Sequence, residues 1–155
     1  MEIKKEYKAY MAHRNQELIG TKCIRPHGHD YKIFCYFEVF RNGNITTLFE
    51  EFDKKIEPML KDEFDHRMLI DKNDPLCDTL IKHGLDHKED LGLKVLPFPT
   101  SVENLCFYIF DQIITRFHFE LIKLEIQETR TSTVSYTQED YRNDIIHFGS
   151  QIKQL

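Results

Sequence analysis

Cysteine is sparse and unpatterned, with four residues at 23, 35, 77 and 106 in a chain of 155. Their spacing makes no paired framework, so a disulfide-stapled fold is not expected and a reducing compartment would keep the thiols free. No apolar run approaches the roughly 18 residues needed to span a bilayer. The opening Met1-Glu2-Ile3-Lys4-Lys5-Glu6 lacks the apolar core of a secretory leader. A membrane partner is not expected, and the expected location is the cytoplasm. No Lys/Arg stretch reaches the about five to eight residues of a basic patch. A net charge of -5 gives no general attraction for nucleic acid. What remains is a small soluble partner, and a phosphorylated one would need only a local basic pocket.

Hydrophobic residues make up 41 % of the chain and mean hydropathy is -0.50, the profile of an ordinary globular protein. The length fits one domain, residues 1–155, able to bury a core without staples. Residues 3–12 read as a strand that delivers His13 at its end, followed by a loop closed by Arg25-Pro26. Residues 29–40 form the clearest strand: Tyr31, Ile33, Cys35, Phe37 and Val39 alternate with Asp30, Lys32 and Glu38. Leu48, Phe52, Ile56 and Leu60 recur every four residues and predict a helix over 46–61, disturbed near Pro58. A second helix follows from the apolar stripe Val102, Leu105, Cys106, Ile109, Phe110, Ile113, Ile114 and Phe117, with Thr100 and Glu103 as its capping box. Strands are predicted over 121–129 and 133–136. The resulting expectation is an α+β fold, an antiparallel four-stranded sheet with two helices packed on one face. Residues 67–98 read as a long irregular insertion with a short helix near 76–83, and the tail at 138–155 has no assigned structure.

Chemistry-bearing residues gather around the first two strands. His27 and His29 flank Gly28, and side chains two apart on a strand share a face. With His13 on the neighbouring strand, three imidazoles could meet one ion at roughly 2.0–2.1 Å and leave a fourth position open, as in catalytic zinc sites. Ordinary core and surface histidines are the alternative. Cys23, four residues before His27, could be a buried apolar filler, and otherwise reads equally as a fourth ligand or as a reactive thiolate beside the cation. Asp65-His66 is an acid–histidine pair able to orient and deprotonate a thiol, and Asp86-His87 in the insertion is its rival. Glu128 falls on the face of Ile122, Leu124 and Ile126, where a carboxylate is costly unless paired. There it could accept two parallel N–H bonds from an amidine-like edge of a ligand. Glu103 is explained by helix capping, and Arg14, Lys22 and Arg25 read as solvated surface charge.

In order along the chain, several segments resemble the 6-pyruvoyl-tetrahydropterin synthase / 6-carboxy-tetrahydropterin synthase family. They are Ala12-His13-Arg14, Cys23-Ile24-Arg25-Pro26-His27-Gly28-His29-Asp30-Tyr31, Phe64-Asp65-His66-Arg67, Pro99-Thr100-Ser101-Val102-Glu103-Asn104-Leu105 and Gln127-Glu128-Thr129. The resemblance implies a tunnelling fold in which trimers close a barrel and stack as a homohexamer. It implies Zn2+ on His13, His27 and His29, and Cys23 as catalytic base with Asp65 and His66 reaching it from a neighbouring subunit. Glu128 would anchor the pterin, and Thr100 would line its pocket. The implied substrate is dihydroneopterin triphosphate, and the implied chemistry is that of a lyase. The short gap between Cys23 and His27 is similar to the carboxy branch, which serves queuosine synthesis; the pyruvoyl branch and a non-catalytic pterin-binding homologue are the alternatives. Leu48-Phe49 stands where the family usually reads Asp-Phe, which leaves the opening contacts of the first helix unexplained.

Overall fold

The computed structural model describes residues 1–152, with side chains described as far as Phe148. Residues 153–155 of the expected tail lie outside the described residues.

The first strand, β1 (Glu2–His13), and the second, β2 (His27–Glu38), pair antiparallel along their whole length, from Glu2 opposite Glu38 to His13 opposite His27. Odd residues point to the helix-covered face, where Ala9, Ile33, Cys35 and Phe37 are fully buried. On the other face stand Lys4, Glu6, Lys8 and Tyr10. The 13 residues between the strands make a loop with a single 3-10 turn at Lys22–Ile24.

Helix α1 (Phe49–Glu63) starts three residues later than its apolar spacing suggests. Leu48 forms its N-cap with no side-chain bond and is exposed, so the stripe that packs is Phe52, Ile56, Met59 and Leu60. The helix runs through Pro58, whose exposed position lets water satisfy the carbonyl left without a donor.

Residues 67–98 are not irregular. They form β3 (Arg67–Asp71), α2 (Pro75–His87) and β4 (Leu93–Leu96). Strand β3 lies parallel to the end of β1, pairing Met11 with Arg67 and His13 with Leu69, and β4 lies parallel to β3. Helix α3 (Val102–Phe117) ends as expected, with His118 in the left-handed conformation at φ 57°. Its N-cap is Ser101, which accepts from the Asn104 amide, rather than Thr100. Strands β5 (Leu121–Thr129) and β6 (Ser132–Thr137) complete the sheet, and α4 (Gln138–Ile152) occupies the tail.

The sheet therefore has six strands in the order β4-β3-β1-β2-β5-β6, and it is mixed rather than purely antiparallel. The described residues form four α-helices: α1 and α3 are the two expected against the sheet, α2 extends the short helix expected near 76–83, and α4 lies where no structure was assigned. Helices α1 and α3 press their stripes onto one core with the inner face of β1, β2 and β5, and Tyr141 and Phe148 of α4 pack against the same core. One irregularity in the β2–β5 register, between Tyr36 and Phe37, turns Leu121 inward in place of Ile122.

Candidate metal centre and active site

The strand register assembles the three histidines. His13 and His27 are cross-strand partners and His29 is two residues along, so all three rings stand on the helix-facing side at the end of the sheet. Their ligand atoms lie within 4.8 Å of one another. Gly28 keeps the strands close: a Cβ there would sit 3.3 Å from the Met11 carbonyl oxygen.

The second contacts of the rings fix which nitrogen is free. His13 Nδ1 lies 2.7 Å from the Thr100 carbonyl oxygen, and His27 Nδ1 lies 2.7 Å from that of Arg25. A carbonyl can only accept, so each Nδ1 carries the proton and donates. Each Nε2 is then a lone pair, and the two face one another at 3.2 Å. Two lone pairs at that distance repel unless a cation lies between them. Nitrogens bound at roughly 2.0–2.1 Å to one tetrahedral ion stand about 3.3–3.4 Å apart, so the pair fits a divalent metal. Burial is the main cause holding the pKa of His13 below its ordinary value, against the Thr100 carbonyl, and this keeps the ring neutral as a ligand must be. Backbone carbonyls that orient ligand rings are the usual outer partners of metal histidines.

Glu128 stands beside this group, with Oε1 3.6 Å from His13 Nε2 and 4.0 Å from His29 Nε2. Tyr31, opposite it on β2, donates its hydroxyl to the same oxygen at 3.1 Å. Burial, and then the Glu128 charge, push the Tyr31 pKa up, so the phenol stays a donor. A second register irregularity, between Gln127 and Thr129 in the β5–β6 pairing, marks Glu128 as a bulge position. In the sequence Tyr31 stands out only as part of an alternating strand and of the segment that resembles the family, and only the pairing reveals its hold on Glu128.

Thr100 is buried, and both its polar groups are engaged: its carbonyl with His13, its hydroxyl donating to the Arg14 carbonyl at 2.8 Å. It holds the first histidine in place, a role the sequence did not show. Glu103, released from the capping box, is exposed, with no hydrogen-bond partner among the described residues. Cys23 lies in the 3-10 turn, half-buried, and its sulfur is not part of the group of ligand atoms around the histidines. Lys22 and Arg25 are exposed as expected. Arg14 is not: its Nε lies 2.9 Å from the fully buried Asp74 carboxylate.

Asp65 and His66 form a hydrogen-bonded pair, Oδ2 to Nδ1 at 2.8 Å. The bend that lets neighbours meet is at His66, whose φ is 59°. The Asp65 carboxylate also accepts the Tyr10 amide at 2.8 Å, and that bond is the main cause keeping its pKa below the ordinary value. The pair lies beside the outward-facing Tyr10, and His66 borders an outer groove with Tyr10, Ala12, Gly28 and Asp30. It faces away from the histidines of its own copy. Asp86 and His87, the rival pair, are exposed and not bonded to each other; His87 instead lies against His83, ring centroids 4.4 Å apart.

A relative from Halobacterium salinarum, named a probable 6-carboxy-5,6,7,8-tetrahydropterin synthase, is 38 % identical over 72 residues, 46 % of this chain and 45 % of that protein. The match thus spans about half the length of that relative. A 6-carboxy-5,6,7,8-tetrahydropterin synthase from Aquifex aeolicus is 25 % identical over 131 residues, 77 % of this chain and 78 % of its own. Among solved structures, an uncharacterized protein from Wolinella succinogenes superposes with a TM-score of 0.75 at 19 % identity, covering 89 % of this chain and 98 % of that one. The Caenorhabditis elegans 6-pyruvoyl tetrahydropterin synthase gives 0.62 at 21 %, covering 88 % and 94 %. These structures share the tunnelling fold with this chain, which carries six strands in its sheet. Residues 2–139 match the 6-pyruvoyl tetrahydropterin synthase family, and the chain belongs to that family.

Proposed function

We propose that this protein is a zinc-dependent 6-carboxy-5,6,7,8-tetrahydropterin synthase. It converts 7,8-dihydroneopterin triphosphate and water to 6-carboxytetrahydropterin, acetaldehyde and triphosphate, in the cytoplasm. The observation that carries the reading is the pair of opposed Nε2 atoms on His13 and His27, 3.2 Å apart with both Nδ1 protons engaged elsewhere. His13, His27 and His29 would hold zinc and leave a coordination position open. Zinc, when bound, supplies Lewis-acid polarisation of the substrate's side-chain oxygens.

The chain's own residues do the rest. Cys23 removes the proton from the side-chain carbon, and Asp65 with His66, contributed by a neighbouring copy, orients the thiol and takes the proton onward. Glu128 accepts two N–H bonds from the pterin's amino-pyrimidine edge, steadied by the Tyr31 hydroxyl. Thr100 borders the pocket and keeps His13 turned toward it.

A closed assembly is part of the proposal. The outward-facing backbone groups of Lys4, Glu6 and Lys8 on β1 have no partner strand among the described residues, and β6 is the opposite sheet edge. Unpaired edges of this kind support head-to-tail pairing into trimers, and two trimers into a hexamer.

The preference for the carboxy reaction rests on the names of the curated relatives and on the three residues between Cys23 and His27. Product analysis with dihydroneopterin triphosphate tests it. Acetaldehyde and 6-carboxytetrahydropterin are expected, and a Cys23→Ala variant should keep its metal and lose turnover. Triphosphate release without acetaldehyde would identify the pyruvoyl branch. Dihydropterin binding without product would mark a non-catalytic homologue, and loss of metal from Cys23→Ala would make Cys23 a ligand.

A further inference from the structure

Three side-chain contacts tie the β3–α2 junction and Thr100, beyond β4, to Arg14 and Gln16, where β1 runs into the Cys23 loop. The Arg14 guanidinium meets Asp74, whose side chain has no solvent exposure. The other Asp74 oxygen, Oδ1, accepts the Leu76 amide at 2.8 Å and caps α2. Gln16 donates its side-chain amide to Asp71 Oδ2 at 2.9 Å, while Asp71 Oδ1 accepts the Asn73 amide. Thr100, beyond the end of β4, holds the Arg14 carbonyl. Between Arg14 and Gln16, the Asn15 amide donates to the Cys23 carbonyl at 2.9 Å. Asn15, Asp71 and Asp74 are all buried.

The Arg14–Asp74 contact is ionic rather than a well-aligned hydrogen bond, since Arg14 Nε, Asp74 Oδ2 and Gln16 Oε1 are buried without a hydrogen-bond partner. Burial of so many polar atoms needs a return, because apolar packing of the same volume is often at least as stable. What this cluster adds is direction. It fixes the segment that hydrogen-bonds the Cys23 backbone against the β3–α2 junction, on a chain whose other loop bonds, Leu18 to Asn15 and Thr21 to Leu18, are local.

We propose that Arg14, Gln16, Asp71 and Asp74 are positioning residues: the β3-α2-β4 segment clamps the loop of Cys23 and sets where its thiol stands relative to the three histidines. The catalytic meaning of the clamp rests on the proposed role of Cys23, but the placement itself is measurable without turnover.

Cys35, Cys77 and Cys106 are buried, so iodoacetamide modification of the folded full-length protein, followed by peptide mass spectrometry, reports on Cys23. Asp74→Asn keeps an N-cap side chain while discharging the partner of Arg14. Gln16→Leu removes a bond from a neutral donor and leaves Asp71 to the Asn73 amide alone, and the double variant Arg14→Met with Asp74→Asn removes both charges of the other contact together. Each should change the Cys23 modification rate by about threefold or more and speed hydrogen exchange at the Asn15 amide, with circular dichroism unchanged. Asp74→Asn combined with Arg14→Lys should not restore the wild-type rate, since the anion is still missing. The proposal is overturned if Gln16→Leu and the double variant fold with wild-type Cys23 modification and Asn15 exchange, whatever their thermal stability. Inactivity of the wild-type protein toward pterins would instead count against the proposed function and leave this readout standing.

Discussion

His13 Nε2 and His27 Nε2 face each other at 3.2 Å, and neither carries a proton, because each ring donates through Nδ1 to a backbone carbonyl. The arrangement is destabilising without a cation and stabilising with one. Purified protein should therefore hold about one zinc per chain by elemental analysis, and free zinc at about a thousand times its dissociation constant should add about 4 kcal/mol to stability. His27→Ala should abolish both effects. A protein whose melting temperature ignores chelator and zinc alike would remove the basis of the proposed chemistry.

Tyr31 and Glu128 make the next measurable pair. Tyr31→Phe removes a hydroxyl that donates to a half-buried carboxylate, a bond to a charged acceptor worth about 1.5–3 kcal/mol. We expect stability in urea to fall by about that amount, and pterin binding to weaken because Glu128 loses its fixed orientation. Zinc content should not change, since none of the three ligand rings loses a hydrogen bond.

The elements that were legible in the sequence are those whose burial is one-sided and local. Odd positions of β1 and β2 alternate cleanly, and α3 carries an unbroken stripe, so both the strand pair and its histidines could be read directly. Strand β3 could not: Met68-Leu69-Ile70 is a short apolar run, and parallel strands pair with distant partners rather than alternate. Strand β4 has four residues and gains its identity only from β3. Helix α4 is mostly polar, and its anchors Tyr141 and Phe148 mean little without the core they meet. Arg14 was misread for the same reason, since its partner Asp74 lies in that unread segment. The capping box was misread because Thr100 and Glu103 have the right spacing, whereas Thr100 is needed one step earlier to bind the Arg14 carbonyl and orient His13.

Thr100→Val separates the two contacts of that residue. The hydroxyl is lost, leaving the half-buried Arg14 carbonyl without that donor, while the backbone carbonyl that orients His13 remains. An unsatisfied buried acceptor costs about 1–3 kcal/mol. We expect denaturation midpoints to fall accordingly and zinc affinity to stay within about threefold of wild type, a change of less than 1 kcal/mol. A large loss of zinc with little loss of stability would mean that the side chain, not the backbone, governs the metal site.

Asp65 gives the fold a specific acid sensitivity. Its carboxylate accepts the Tyr10 amide and pairs with His66, and the first of these is the main reason its pKa lies below the ordinary 3.8. A carboxyl group depressed by folding binds its proton more weakly in the folded state than in the unfolded one. Its contribution is complete above the unfolded value and disappears as pH falls through the lower, folded value. Comparing wild type with Asp65→Asn, which keeps an oxygen for the Tyr10 amide, isolates that contribution. The stability gap between them should be level above about pH 5 and should narrow only below the ordinary carboxylate value, as both states become protonated. A gap that persists unchanged to the lowest pH at which both proteins remain folded would show that Asp65 acts through shape and hydrogen bonding alone, without a contribution from its charge.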